Sequence, residues 1–546
     1  MRHFGICLAY GPTVDLRKEG LGRLLVAFLK AAVTKEDVRF VIACPEWSRE
    51  GLLALCESEG IPASGFDVVS TDGLPVALRI ALAWRARKQH PRKESLLSRL
   101  VAWLQSCAED SRASLEIRLV ATRSVVAWLT FVLAAAAVGV VLLPLLGVLL
   151  LCRAVYRLLW RWARVIGRSL RLRSAAERLL ALFVRIGEES LMVRLYRMME
   201  DAEGERLLKK INSLRHVQAW YCPTAFWPVF NRITAPRLMC VPDVLPAEFP
   251  IGFAGLEPEL AKSFEILERA IRGGRHFVTY SSRMKWDTLV GRYSVRPAAV
   301  DVIPHACLDL GEWITLRGFP DNERVTTDYC QWLLALALRR AGTNEYAKAI
   351  ASGSSRFLVY ASQFRPNKNV LTLLRAYEYL LRKRFFVHKL ILTGDPVRFP
   401  TVGAFIRERS LQNDVLCLHG LSAAELAACF RLAELAVNPS FSEGGCPFTL
   451  TEALSVNTPV VMARIPVTEE IVTEPALRDM RLFDPYDWRD VAARIEWALD
   501  HREPLLVAQR ALYAKLQQRT WRNVVDDCVG VLEHLVDTSE SAAGRQ

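Results

Sequence analysis

Asn438–Ile471 reads NPSFSEGGCPFTLTEALSVNTPVVMARIPVTEEI. Immediately before it, the apolar run Leu435–Val437 predicts a buried strand, which Asn438-Pro439 must end because proline cannot donate to a sheet ladder. A loop follows that holds Glu443, Gly444 and Gly445. A helix is predicted from Phe448 through Thr451, Glu452 and Leu454 to just before Asn457, and Pro459–Met462 predicts another buried strand. Strand, glycine-rich loop, helix, strand is the repeating unit of a parallel α/β sheet. It presents backbone N–H groups and a helix N-terminus to an anionic ligand. Glu443 at the mouth of the loop and Glu452 in the first turns of the helix can accept hydrogen bonds from sugar or ribose hydroxyls, while the two glycines let the backbone approach a phosphate. The plainer alternative is two solvated carboxylates, with Glu452 favouring the helix dipole.

SEGGCPFTLTEAL followed by NTPVV resembles the signature of the retaining glycosyltransferases of family four, which have the GT-B fold. That family's usual spacing is E-x7-E, and Glu443 to Glu452 is E-x8-E, one residue longer. The resemblance implies that Glu452 holds the ribose of a nucleotide sugar and that Glu443, or the Gly444 backbone beside it, holds the transferred sugar. HGLSAAELAACF, from His419 to Phe430, resembles the loop and helix that contact the base in that family.

Working outward, Arg356–Ser362 predicts the first strand of the same domain, and the loop QFRPNKN leads into a helix Val370–Leu381. Arg365 and Lys368 therefore stand between a buried strand and a helix N-terminus, where two cations and the helix dipole make a clamp for a diphosphate. A solvated surface pair is the alternative, and Lys368-Asn369 matches the family's leaving-group motif. Nearer the start, His3–Tyr10, Val38–Cys44 and Phe66–Ser70 predict strands, with helices Leu21–Val33 and Arg49–Ser58 between them. Gly20 and Gly22 stand where the first strand turns into its helix. They serve either as a plain tight turn or, by the resemblance, as the glycine loop that approaches the donor phosphates and the acceptor.

Further on, VPDVLPAEFP resembles the family's short acceptor-side motif, with Pro242 where a His usually stands and Asp243 keeping the acid. Asp243 takes either a catalytic or acceptor role or a turn-capping one. Val300–Pro304 predicts a strand ending in His305, which is either a turn residue or a ligand.

Between the two parts of this first domain the pattern breaks. Ser124–Cys152 runs 29 residues without a charge, more than the roughly 20 that cross a bilayer. A single crossing would put strands of one sheet on opposite sides of the membrane, and arginines flank the run at both ends. With Gly139, Pro144 and Gly147 inside it, the run predicts a re-entrant hairpin, two arms of about 14 residues rising roughly 20 Å each. Arg153–Arg173 adds seven arginines and no acid, interleaved with Trp160 and Trp162. That composition fits a helix lying on anionic lipid, and its place beside the apolar run favours lipid over nucleic acid.

The formal charge of +13 is concentrated there, since no Asp or Glu occurs between Glu116 and Glu177. Thirteen scattered cysteines with no C-x-x-C pair read as buried thiols rather than a disulfide framework or a zinc site. MRHFGICLAY is too short in its apolar run for a signal peptide. No D-x-D tripeptide occurs, which predicts a metal-independent site, and there is neither H-E-x-x-H nor a P-loop.

The expected architecture is therefore α/β of the GT-B kind, two Rossmann-like domains facing across a cleft with a helical membrane-dipping insertion in the first. Residues 1–75 and 216–310 form the N-terminal domain, 76–215 the insertion, 311–354 a helical connection, 355–500 the nucleotide-sugar domain, 501–538 helices packing back on the cleft, and 539–546 a tail. The resemblance implies a transferase that takes a nucleoside diphosphate sugar, without cofactor or metal, and passes its sugar to a lipid-linked or polysaccharide acceptor. It would work at the cytoplasmic face of the cell membrane against anionic lipids, with no nucleic acid partner and no oligomeric state assigned. A membrane-bound, non-catalytic nucleotide-sugar subunit of a polysaccharide assembly complex is the second reading.

Overall fold

In the computed structural model the chain divides into two compact units, Met1–Asp72 with Glu203–Gln546, and Gly73–Ala202. The structure describes residues 1–76 apart from a few between 13 and 19, then 78–79, 191–249, 258–342 and 355–543, with single positions besides. The predicted hairpin 124–152, but for Thr130, and the basic helix 153–173 lie outside the described residues. Among the described residues, no helix is long and apolar enough to cross a membrane.

The first unit contains two parallel sheets. One is built from β1 (Arg2–Cys7), β2 (Val38–Cys44), β3 (Phe66–Ser70), β4 (Ala219–Cys222), β5 (Arg237–Cys240), β6 (Phe277–Thr279) and β7 (Val300–Val302), in the order β3-β2-β1-β4-β5-β6-β7. The other contains β8 (Phe357–Tyr360), β9 (Lys389–Leu392), β10 (Val415–Cys417), β11 (Leu435–Asn438), β12 (Val460–Ala463) and β13 (Leu482–Phe483), in the order β10-β9-β8-β11-β12-β13. Strands such as FLVY and LAVN are buried along their whole length, as parallel strands covered by helices on both faces must be.

Each sheet reverses its strand order once, at β1/β4 and at β8/β11. The crevice beyond the carboxyl ends of the strands at such a reversal is where open α/β sheets bind ligands. In the second sheet the two loops bordering it are 361–369, which carries Arg365 and Lys368, and 439–447, which carries Glu443 and Gly444.

Some expected elements differ. The first strand ends at Cys7 rather than Tyr10, because its pairing with β2 stops at Cys7↔Ala43. After Ser282 the chain is wound as a π-helix, Met284–Arg292, with Tyr293 N donating to Thr288 O five residues back. In the connection after Leu310 a helix, Asn322–Arg340, starts where the Asp321 carboxylate accepts from Arg324 N at 3.0 Å. It buries Cys330, Leu334 and Leu338 against the second sheet. The last helix, Trp521–Ala543, returns to the first sheet, placing Val525, Cys528, Val529 and Leu532 among Phe28, Leu29 and Phe40. Burial of that kind contributes roughly 1.5–3 kcal/mol for each large apolar side chain. Trp521 Nε1 also donates to Cys307 O at 3.0 Å.

Candidate active site

The loop after β8 is fixed by its own asparagines. Asn369 takes a left-handed conformation (φ 51°), one that asparagine tolerates better than most residues, and its side-chain amide donates to Pro439 O at 3.0 Å and Pro485 O at 2.8 Å. Asn367 is fully buried. Its backbone carbonyl accepts from Phe441 N at 2.8 Å and its side-chain amide donates to Ser442 O at 3.3 Å, so the loops leaving β8 and β11 are tied together. Tyr360 OH donates to Lys368 O at 3.1 Å and lies 3.0 Å from Ser440 Oγ. On this frame Lys368 Nζ donates to Glu443 Oε1 at 2.8 Å, beside the N-terminus of the helix Val370–Lys383.

Asp243 reaches the same place from the first domain. Burial pushes its carboxyl above the ordinary range, Arg365 and Lys368 pull it back, and Glu248 and Glu443 add repulsion. Burial would lower Lys368, but Glu443, Tyr360 and Asp243 overcome it and hold the ammonium above its ordinary value. Two cations and three carboxylates therefore converge at the carboxyl ends of β5, β8 and β11. Such a set suits a ligand bearing both a diphosphate and hydroxyl groups.

The glycines of the loop meet the first domain. A Cβ at Gly444 would stand 1.6 Å from Pro242 O, and one at Gly445 would stand 2.7 Å from Tyr280 Cβ. Ser281 Oγ donates to Gly444 O at 2.9 Å. Gly444 and Gly445 thus let the first domain come close to this loop's backbone. Gly22 packs against its own turn, since a Cβ there would stand 1.8 Å from Leu16 O, and Gly20 opens the first helix, Gly20–Ala32. Glu452 is 2% exposed and pairs with Arg23 of that first helix.

His305 is enclosed by Tyr280 at 5.4 Å and Phe448 at 4.9 Å between ring centroids, so it touches both domains. Burial holds its imidazole below the ordinary value, with the carbonyls of Ala306 and Cys446 opposing.

Four residues of the site have no sequence signal that singles them out. Arg23 is one, and Ser281 is the second. The third is Glu248, which accepts from Ser442 Oγ. The fourth is Glu470, whose carboxylate accepts from Ser282 N at 2.9 Å and Arg283 N at 3.3 Å. Glu470 lies inside the stretch Asn438–Ile471, but among the described residues its hydrogen-bond partners come from the other domain.

Residues 343–515 match the family model described as "Glycosyl transferases group 1", so the second sheet lies in a glycosyltransferase group 1 domain. Over 185 residues the chain is 27% identical to the O-antigen chain mannosyltransferase B of Escherichia coli, covering 33% of this chain and 46% of that protein. Over a stretch of the same length it is 31% identical to the MMP alpha-(1->4)-mannosyltransferase of Mycolicibacterium hassiacum, covering 33% and 44%. The chain thus spans a little under half the length of the curated relatives it matches. Among solved structures it is similar to Anabaena Alr3699/HepE in complex with UDP and glucose, at 11% identity and a TM-score of 0.53, covering 98% of this chain and all of that one. That likeness shows the fold, two parallel-sheet α/β domains in the GT-B manner.

Proposed function

We propose that the protein is a retaining glycosyltransferase that moves a sugar from a nucleoside diphosphate sugar to a hydroxyl of a glycan acceptor. The observation that carries this reading is the convergence of Arg365, Lys368, Glu443 and Asp243 at the strand-order reversal of a glycosyltransferase group 1 domain. Arg365, Lys368 and the N-terminus of Val370–Lys383 stabilise the charge on the leaving diphosphate, as electrostatic catalysis requires. Glu443, paired with Lys368, receives hydroxyls of the transferred sugar. Asp243 faces them from the acceptor side, and its raised carboxyl makes it a stronger base toward an incoming hydroxyl. Glu452 takes the ribose.

The site needs no metal in this reading, because two side-chain cations and a helix terminus supply the positive charge. The relatives named for O-antigen and mannosyl transfer support a polysaccharide pathway, and the uncharged run 124–152 with the arginine-rich stretch behind it supports a lipid-linked acceptor at the cytoplasmic membrane face. A second reading, a subunit that binds donor without turnover, draws on Pro242 in place of a histidine and on Arg23 across Glu452.

The deciding experiment screens the purified protein in lipid against GDP-, UDP- and ADP-linked sugars with EDTA present. Release of one nucleoside diphosphate, lost in Arg365→Ala, supports the enzyme and names its donor class. Binding without release in native lipid extract supports the second reading, and neither binding nor release refutes both.

A further inference from the structure

Glu452 is enclosed and Arg23 is not. The carboxylate side chain is 3% exposed, whereas the Arg23 side chain is 37% exposed at the start of the first helix. Arg23 reaches across from the first domain to Glu452 Oε1, and its guanidinium carbon sits 5.6 Å from the centroid of the Phe448 ring. No hydrogen bond of good geometry reaches Glu452 Oε1 from the described residues, so this cross-domain cation is what compensates it.

A buried carboxylate with one detachable counter-ion selects what can replace that counter-ion. Removing the cation alone leaves an uncompensated buried charge, which is strongly unfavourable. An anion cannot take its place beside Glu452. A neutral group with two adjacent O–H donors can, because a vicinal diol donates to a carboxylate without adding like charge.

We propose that Arg23 is a resident counter-ion of Glu452 that the ribose diol of the donor displaces, so that nucleoside binding at this site works against a bond between the two domains. The proposal rests on the nucleotide-sugar reading above. It separates the two halves of the donor. The diphosphate meets Arg365 and Lys368 directly, while the ribose enters only when Arg23 swings out toward solvent. Unliganded protein is therefore held in a state with the ribose position filled by its own side chain.

The test is calorimetric titration of the full-length protein with UDP, GDP, ADP and inorganic pyrophosphate, comparing wild type with Arg23→Gln and Arg23→Lys. Relief of the competition is expected to tighten the preferred nucleoside diphosphate about tenfold in Arg23→Gln and less in Arg23→Lys, since apparent affinity scales with the fraction of binding-competent protein. Pyrophosphate affinity stays at the wild-type value, and the thermal midpoint of unliganded Arg23→Gln falls. If wild type binds a nucleoside diphosphate and Arg23→Gln binds it equally or more weakly, the proposal is overturned, and Arg23 is either structural or a phosphate ligand. Should Arg23→Gln fail to fold, the same comparison is made with Arg23→Lys, where equal or weaker binding likewise overturns the proposal. If wild type binds pyrophosphate but none of the three nucleotides, the donor reading itself fails.

Discussion

Removing the Lys368 ammonium tests the proposed cleft chemistry at its centre. The Lys368 and Glu443 side chains are 21% and 17% exposed and 2.8 Å apart at their charged atoms, too enclosed to be screened as a surface pair. A hydrogen bond to a charged partner contributes about 1.5–3 kcal/mol, so Lys368→Ala is expected to lower stability by roughly 2 kcal/mol. For a reaction that must stabilise a leaving diphosphate, loss of one preorganised charge of this kind costs about 10²–10³ in turnover.

The pH dependence carries a further signature. Asp243 is raised by burial and pulled back by Arg365 and Lys368, so without Lys368 its carboxyl rises further. If Asp243 must be ionised for transfer, the acid limb of the rate moves to higher pH in Lys368→Ala. The stability sign follows from the same shift. A carboxyl raised in the folded state costs stability once ionised; that cost appears as pH climbs from the unfolded value through the folded one, and is absent at lower pH. The deficit of Lys368→Ala should therefore shrink on acidification through that window. Initial rates at saturating donor and thermal midpoints across pH measure both. A wild-type rate, or an acid limb displaced downward, refutes the assignment of Lys368 and Asp243 to one site.

Gly444→Ala puts a methyl where Pro242 O already stands, 1.6 Å away, and should push the loop off the first domain, costing about 1–3 kcal/mol and most of the transfer activity. Wild-type turnover in that variant would dismiss the contact. Arg481 is wholly buried and lowered to about 10 by burial; its Nη2 reaches Met462 Sδ, while among the described residues Nε and Nη1 have no hydrogen-bond partner. Arg481→Met should raise the thermal midpoint, because an apolar side chain of similar length removes an unpaired buried charge; a fall would show that the guanidinium is used. For the uncharged run, single cysteines placed before Ser124 and after Cys152 in an otherwise cysteine-free background should label from the same face of sealed vesicles, and labelling from opposite faces would exclude a hairpin.

What the sequence made legible was local. The apolar runs that became β2, β3, β11 and β12, and the loops carrying Arg365, Lys368 and Glu443, could be read because periodicity and turn chemistry act over a few residues. Contacts between the domains could not. Ser281 and Gly444 are 163 positions apart, and Ser282 and Glu470 are 188 apart, so nothing in either neighbourhood announces the other. Glycine is the instructive case. A glycine pair after a strand signals that something comes close to the backbone, and at Gly444 and Gly445 Pro242 and Tyr280 do. The residue type reported the demand for space, and only the tertiary structure identifies the occupant.

That occupancy bears on how the cleft works. The first domain meets the donor loops through Pro242 on Gly444, Ser281 on the Gly444 carbonyl, the Ser282 and Arg283 N–H groups on Glu470, and Arg23 on Glu452. Each of these contacts lies beyond the carboxyl end of a strand or in the helix that follows it, on the side where ligands bind in open α/β sheets. The bonds that hold the two domains together and the groups assigned to the donor are thus partly the same atoms. A ligand entering between Glu443 and Glu452 must exchange its own hydrogen bonds for some of those between the domains. In the proposed reading, donor binding and movement of the first domain are then one equilibrium, and a substitution that weakens a cross-domain bond without touching the diphosphate loop should shift both together.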